Sequence, residues 1–103
     1  METEKRTTQR QAQEASLVFS RFNAQSLYDA KMVNYSQEGM YFETNELFRE
    51  NTDIFFRVQN CDSDSIDQQL RPGFRTISLA QVKWWRRLRN GTNHRYGIGV
   101  KYY

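Results

Sequence analysis

Apolar side chains fall at every second position along this chain, in short runs divided by polar, turn-forming residues. Leu17, Val18, Phe19 and Phe22 mark a first run, and Leu27 to Val33 a second in which Tyr28, Ala30 and Met32 share a face. Met40, Phe42 and Thr44 carry a third, and Ile54, Phe56 and Val58 a fourth within Asp53 to Val58. This period is that of a strand with one buried face, because successive side chains point to opposite sides of a sheet. From Thr76 to Arg89, Ser78, Ala80, Val82 and Trp84 alternate with Leu79, Gln81, Lys83 and Trp85, so the pattern places Trp84 on the core-facing side. Ile98, Val100 and Tyr102 then share a face of the last strand.

The intervals supply the turns. Asn23-Ala24-Gln25-Ser26 and the corner Asn34-Tyr35-Ser36-Gln37-Glu38-Gly39 are rich in turn formers, and Asn90-Gly91-Thr92-Asn93 is a strong hairpin signal. Asn45 to Thr52 reads as a polar link with room for a short helical turn, and Gln59 to Gly73 as an exposed loop ending in Arg71-Pro72-Gly73. Short strands joined by hairpins, with no long helix among them, predict an all-β fold. The expected form is a six-stranded antiparallel barrel, since closure removes the unpaired edges of an open sheet.

A chain of 103 residues has room for one core and one domain. Residues 1–15 hold no large apolar side chain beyond Met1, which predicts a flexible N-terminal arm ahead of a barrel domain over 16–103. Aromatic residues make up 15% of the chain, which favours strands over helices. Cys61 is the single cysteine, so no intrachain disulfide can form and a reducing, cytoplasmic setting is expected. No apolar stretch approaches the roughly 18 residues of a membrane span or forms the core of a signal peptide, so no membrane insertion is expected. The net charge of +3 suits an anionic partner that is small or locally contacted.

Two constellations carry candidate chemistry. Arg6 and Arg10 lie four residues apart in the arm, and a guanidinium can pair in a planar fork with phosphate oxygens or with O6 and N7 of guanine. Asn34 and Ser36, two apart, project to the same side of an extended backbone, and Gly39 lets a ligand approach the main chain closely. Asn and Ser in such a corner also cap backbone groups, and the two roles are compatible.

Arg6-Thr7-Thr8-Gln9-Arg10 followed by Asn34-Tyr35-Ser36-Gln37-Glu38-Gly39 resembles the RxxxR and (D/N)xSxxG motifs of PilZ domains. Met40-Tyr41-Phe42, Ala80 to Arg87 and Tyr96 to Tyr102 are similar to later strands of that domain, so the resemblance spans about Arg6 to Tyr102. It implies a receptor for the second messenger cyclic di-GMP, whose arm folds over the rim of the barrel. Arg6 and Arg10 would hold guanine and phosphate, and Asn34, Ser36 and Gly39 would form the opposing wall. Lys5, just before the first arginine, is compatible with an intercalated ligand pair. Trp84 sits where relatives can carry an aromatic near the ligand, with packing in the core as its other fate. An effector protein would read the bound state. Many relatives continue into a C-terminal helix, and this sequence ends at Tyr103 without one.

Other groups of residues point to less. Asp62, Asp64 and Asp67 lack the glycine and closing glutamate of a calcium loop, and the lone His94, expected on an exposed hairpin, and Cys61 make no metal cluster. No set of residues supplies a nucleophile, base and oxyanion site together, so no enzyme and no cofactor are expected. The basic, aromatic run Lys83-Trp84-Trp85-Arg86-Arg87-Leu88-Arg89 supports an alternative, a small-barrel binder of single-stranded nucleic acid. A barrel that binds proteins without a ligand is a further alternative, against which the intact motifs argue.

Overall fold

The computed structural model describes residues 11–61, 76–89 and 94–103. Within them six strands occur: β1 (Gln11–Arg21), β2 (Tyr28–Tyr35), β3 (Gly39–Thr44), β4 (Asp53–Cys61), β5 (Ile77–Arg87) and β6 (Tyr96–Tyr102). All neighbours are antiparallel, and they close in the order β1-β2-β3-β6-β5-β4. This is the expected all-β barrel. Closure gives every strand a partner on both sides, so the backbone polar groups of an edge are satisfied without a partner chain.

The inward residues are the ones the alternation marks. Leu17 and Phe19, Ala30 and Met32, Met40 and Phe42, Ile54 and Phe56, Ala80 and Val82, and Ile98 are buried in one continuous core. Tyr35 joins them because β2 bulges: Met32 pairs with Phe42 but Asn34 pairs with Tyr41, leaving Val33 as the extra residue. The bulge reverses parity, turning Tyr35 inward and Asn34 outward beside Tyr41.

Three expectations change. Gln11 to Ala15, assigned to the arm, belong to β1 and pair with β2 and the end of β4, because a polar strand can be held by its ladder without a large apolar face of its own. Asn45 to Thr52 forms no helical turn; it turns tightly at Asn51, whose φ is 71°, and drops Phe48 into the end of the barrel. There Phe48 packs on Phe19 at 4.8 Å and edge-on to Tyr28 at 5.4 Å, with the Arg21 guanidinium over its ring at 4.2 Å. Trp84 is not in the core. Val82 pairs with Val100 but Trp84 with Gly99, so Lys83 is extra and the bulge moves the indole to the outer face. Among the described residues no helix is long and apolar enough to cross a membrane.

Candidate functional site

The bulges in β2 and β5 bring Asn34, Tyr41, Gly99 and Trp84 into one row across the outside of β2, β3, β6 and β5. Gly97 and Gly99 both lie in that outer surface of β6, and both are covered by aromatic rings. A Cβ on Gly97 would fall on the Tyr41 ring and hydroxyl, and a Cβ on Gly99 would fall 2.2 Å from the Trp84 indole. The absence of side chains on β6 therefore lets Tyr41 and Trp84 lie against the strand, with ring centroids 5.4 Å apart and planes within 17°. Arg86 extends the platform: its guanidinium sits 5.3 Å from the Tyr41 ring centroid and donates to the Tyr41 hydroxyl at 3.2 Å. That hydroxyl donates in turn to Glu43 at 3.3 Å. Burial under these neighbours raises the Tyr41 phenol above its ordinary range, opposed by the Arg86 charge and hydrogen bond.

Next to this platform the corner after β2 forms a cleft of about 190 Å³, lined by Ser36, Glu38, Gly39, Met40, Lys83, Trp84 and the facing stretch of β6 from Gly99 to Lys101. The corner is a tight reversal. The Ser36 amide donates to the Gly39 carbonyl at 2.8 Å, and the Ser36 hydroxyl accepts from the Glu38 amide at 3.2 Å. Glu38 is tied to β6 through its carbonyl, which accepts from the Tyr102 amide at 2.8 Å. Gly39 is required by this union, since a Cβ there would lie 1.9 Å from the Val100 carbonyl oxygen. The close approach expected of a ligand is made by the chain's own β6. Two cations, Lys83 and Lys101, and the exposed part of the indole face the opening, with the Glu38 carboxylate as the one acidic side chain among them.

Of the residues marked by sequence, Ser36, Gly39 and Trp84 meet in this cleft, although they come from β2–β3 and β5. Asn34 stands half-buried in the adjoining row and does not line it. Lys5, Arg6 and Arg10 lie outside the described residues, as do Asp62, Asp64 and Asp67. His94, expected on an exposed hairpin, is half-buried because it borders a separate hollow shared with Ala15 and Leu17 of β1, Asp29 and Lys31 of β2 and Gln59 of β4. Sequence reasoning missed Tyr41, Gly99 and Lys101. The signal for them was the alternation Gly97-Ile98-Gly99, which leaves a strip of bare strand on which rings can rest.

Compared with protein-family models and with curated proteins, the chain matches none.

Proposed function

We propose that the barrel is a receptor module for cyclic di-GMP, read by an effector protein. The observation that carries this reading is convergence. Ser36 and Gly39 of one motif line a cleft with an aromatic face and two lysines, and the chain enters β1 at Gln11, the Cα partner of Tyr35. Arg10 precedes Gln11 in sequence, so at roughly 3.3–3.6 Å per residue the Cα of Arg6 is no more than about 18 Å from that of Gln11, a reach that would let both guanidiniums meet the corner. The cleft is smaller than the roughly 300–1,000 Å³ of ordinary ligand pockets, so it supplies one wall and the arginine segment the other. Phosphates would meet Lys83, Lys101 and the guanidiniums, and a guanine would stack on the free part of the Trp84 indole.

Ordering the arm costs about 1–2 kcal/mol per residue, so the arginine contacts must exceed that cost before any affinity is seen. Calorimetric titration of the full chain with cyclic di-GMP tests this, with GTP and a short single-stranded oligonucleotide as competitors. Arg6→Ala or Arg10→Ala is expected to weaken binding at least about tenfold, or about 1.4 kcal/mol, with the ligand-free thermal midpoint unchanged. Unaltered affinity in both variants overturns the reading. The exposed basic and aromatic end of β5, with Trp85, Arg86 and Arg87, favours the nucleic-acid alternative, which requires strongly salt-dependent oligonucleotide binding instead.

A further inference from the structure

A second surface, on the outside of β1, β4 and β5, borders the cleft only at Gln81, which pairs with Lys101 and accepts from the Lys83 ammonium at 3.1 Å. The register defines it as a grid. Ser20, Phe55 and Leu79 form its middle row, extended by Tyr103, whose amide donates to the Leu79 carbonyl. Val18, Arg57 and Ile77 lie on one side of that row, and Phe22, Asp53 and Gln81 on the other. Val18 and Ser20 are buried, but Phe22, Phe55, Ile77, Leu79 and Tyr103 remain exposed, Phe22 and Ile77 by more than half (56% and 54%). A contiguous aromatic and aliphatic patch of this kind on a small barrel marks a contact surface.

Its two central charges say what covers it. Among the described residues Arg57 has neither an ion pair nor a hydrogen bond from its side chain, while Asp53 accepts from the Tyr103 hydroxyl and the Gln81 amide, both on Oδ1. Oδ2 takes neither bond and remains for another donor. Asp53 and Arg57 stand two residues to either side of Phe55 on the same face of β4. A two-fold axis in the plane of contact, crossing the strands at Phe55, sets β4 of one copy antiparallel against β4 of the other. Phe55 and Leu79 then meet their own counterparts, Arg57 meets the partner copy's aspartate in both directions, and Ile77 lies over the other Gln81. The patch is complementary to itself in shape and in charge.

We propose that this face is a two-fold homodimer interface, closed by a reciprocal Arg57–Asp53 pair around a Phe55–Leu79 centre. Three strands and the Tyr103 extension, about 4.8 Å apart, and three outward rows about 6.8 Å apart give a footprint of roughly 15 by 14 Å, or about 200 Å² per copy, well below the roughly 800 Å² per partner of a standard interface, so the pairing is a weak one. The dimer is therefore concentration-dependent.

Sedimentation equilibrium of the full chain over a range of concentrations tests the proposal. The wild type is expected to fit a monomer–dimer equilibrium. Arg57→Asp, which touches no described hydrogen bond, and Phe55→Arg should each weaken association at least about tenfold. The double variant Arg57→Asp/Asp53→Arg restores the reciprocal pair and should recover association to within about threefold of wild type. A chain that stays monomeric up to about millimolar concentration overturns the proposal. So does a double variant that folds, by circular dichroism, yet associates no better than Arg57→Asp alone. Should Asp53→Arg disturb folding through Tyr103, Arg57→Asp and Phe55→Arg, which leave that contact intact, decide the matter: association as tight as wild type in both overturns the proposal.

Discussion

Replacing Gly39 by alanine inserts one methyl group at the point where β3 and β6 meet most closely. The new Cβ would lie 1.9 Å from the Val100 carbonyl oxygen, 3.0 Å from its carbon and 3.1 Å from Lys101 Cα. An ordinary carbon–oxygen contact is about 3.3–3.6 Å, so the strands must part locally by more than about 1 Å. All three neighbours are backbone, and no side-chain rotation relieves the clash. The bonds at risk are those that hold the corner: Ser36 amide to Gly39 carbonyl and Tyr102 amide to Glu38 carbonyl, each 2.8 Å. At about 0.5–1.5 kcal/mol per bond, losing them together with one neighbouring ladder bond costs roughly 1.5–4.5 kcal/mol. Alanine returns about 0.5–1 kcal/mol through its lower backbone entropy in the unfolded chain. The net loss is about 0.5–4 kcal/mol, a substantial part of the roughly 5–15 kcal/mol that stabilises a domain of this size. Urea unfolding followed by far-ultraviolet circular dichroism measures it, and the midpoint should fall with the slope unchanged. A Gly39→Ala protein as stable as wild type would refute the close approach of β3 to β6 and, with it, the shape of the cleft.

Gly99→Ala meets an indole instead of backbone, and Trp84 can swing away, so the main effect is loss of the Tyr41–Trp84 stack, worth about 0.5–1.5 kcal/mol and nearly offset by alanine's gain. Its near-ultraviolet circular dichroism and tryptophan emission should change while the unfolding midpoint barely moves; an unaltered aromatic signal counts against the platform. The Tyr41 phenol is raised chiefly by burial, so it stays neutral through the ordinary tyrosine range. A raised folded-state value means that its contribution to stability is complete below the ordinary phenol pKa and is lost as pH climbs through the raised value. A phenolate absorbance titration should show Tyr41 ionising late, as Tyr103 does through its hydrogen bond to Asp53, and Arg86→Gln should move the Tyr41 step later still because the guanidinium favours the anion; an earlier titration in that variant would contradict the contact.

The strands were legible because alternation is local: Leu17 with Phe19, Ile54 with Phe56 and Ile98 with Val100 mark their inward face whatever lies opposite, since burial of a pleated strand selects every second side chain. The barrel followed from needing partners for every edge. The sequence also marked Ser36, Gly39 and Trp84 as special residues. It could not place Trp84 or Tyr35, because the bulges at Lys83 and Val33 arise from pairing with β6 and β3, and one slipped residue reverses every face beyond it. Phe48 belongs to no alternating run and becomes core only when the barrel end closes over it. The cleft itself joins residues 36–40, 83–84 and 99–101, and the self-matching arrangement of Asp53 and Arg57 about Phe55 gains meaning only beside Leu79 and Tyr103. Periodicity along the chain decides which way a strand faces; which residues meet across strands is a property of register, and register exists only once the sheet has closed.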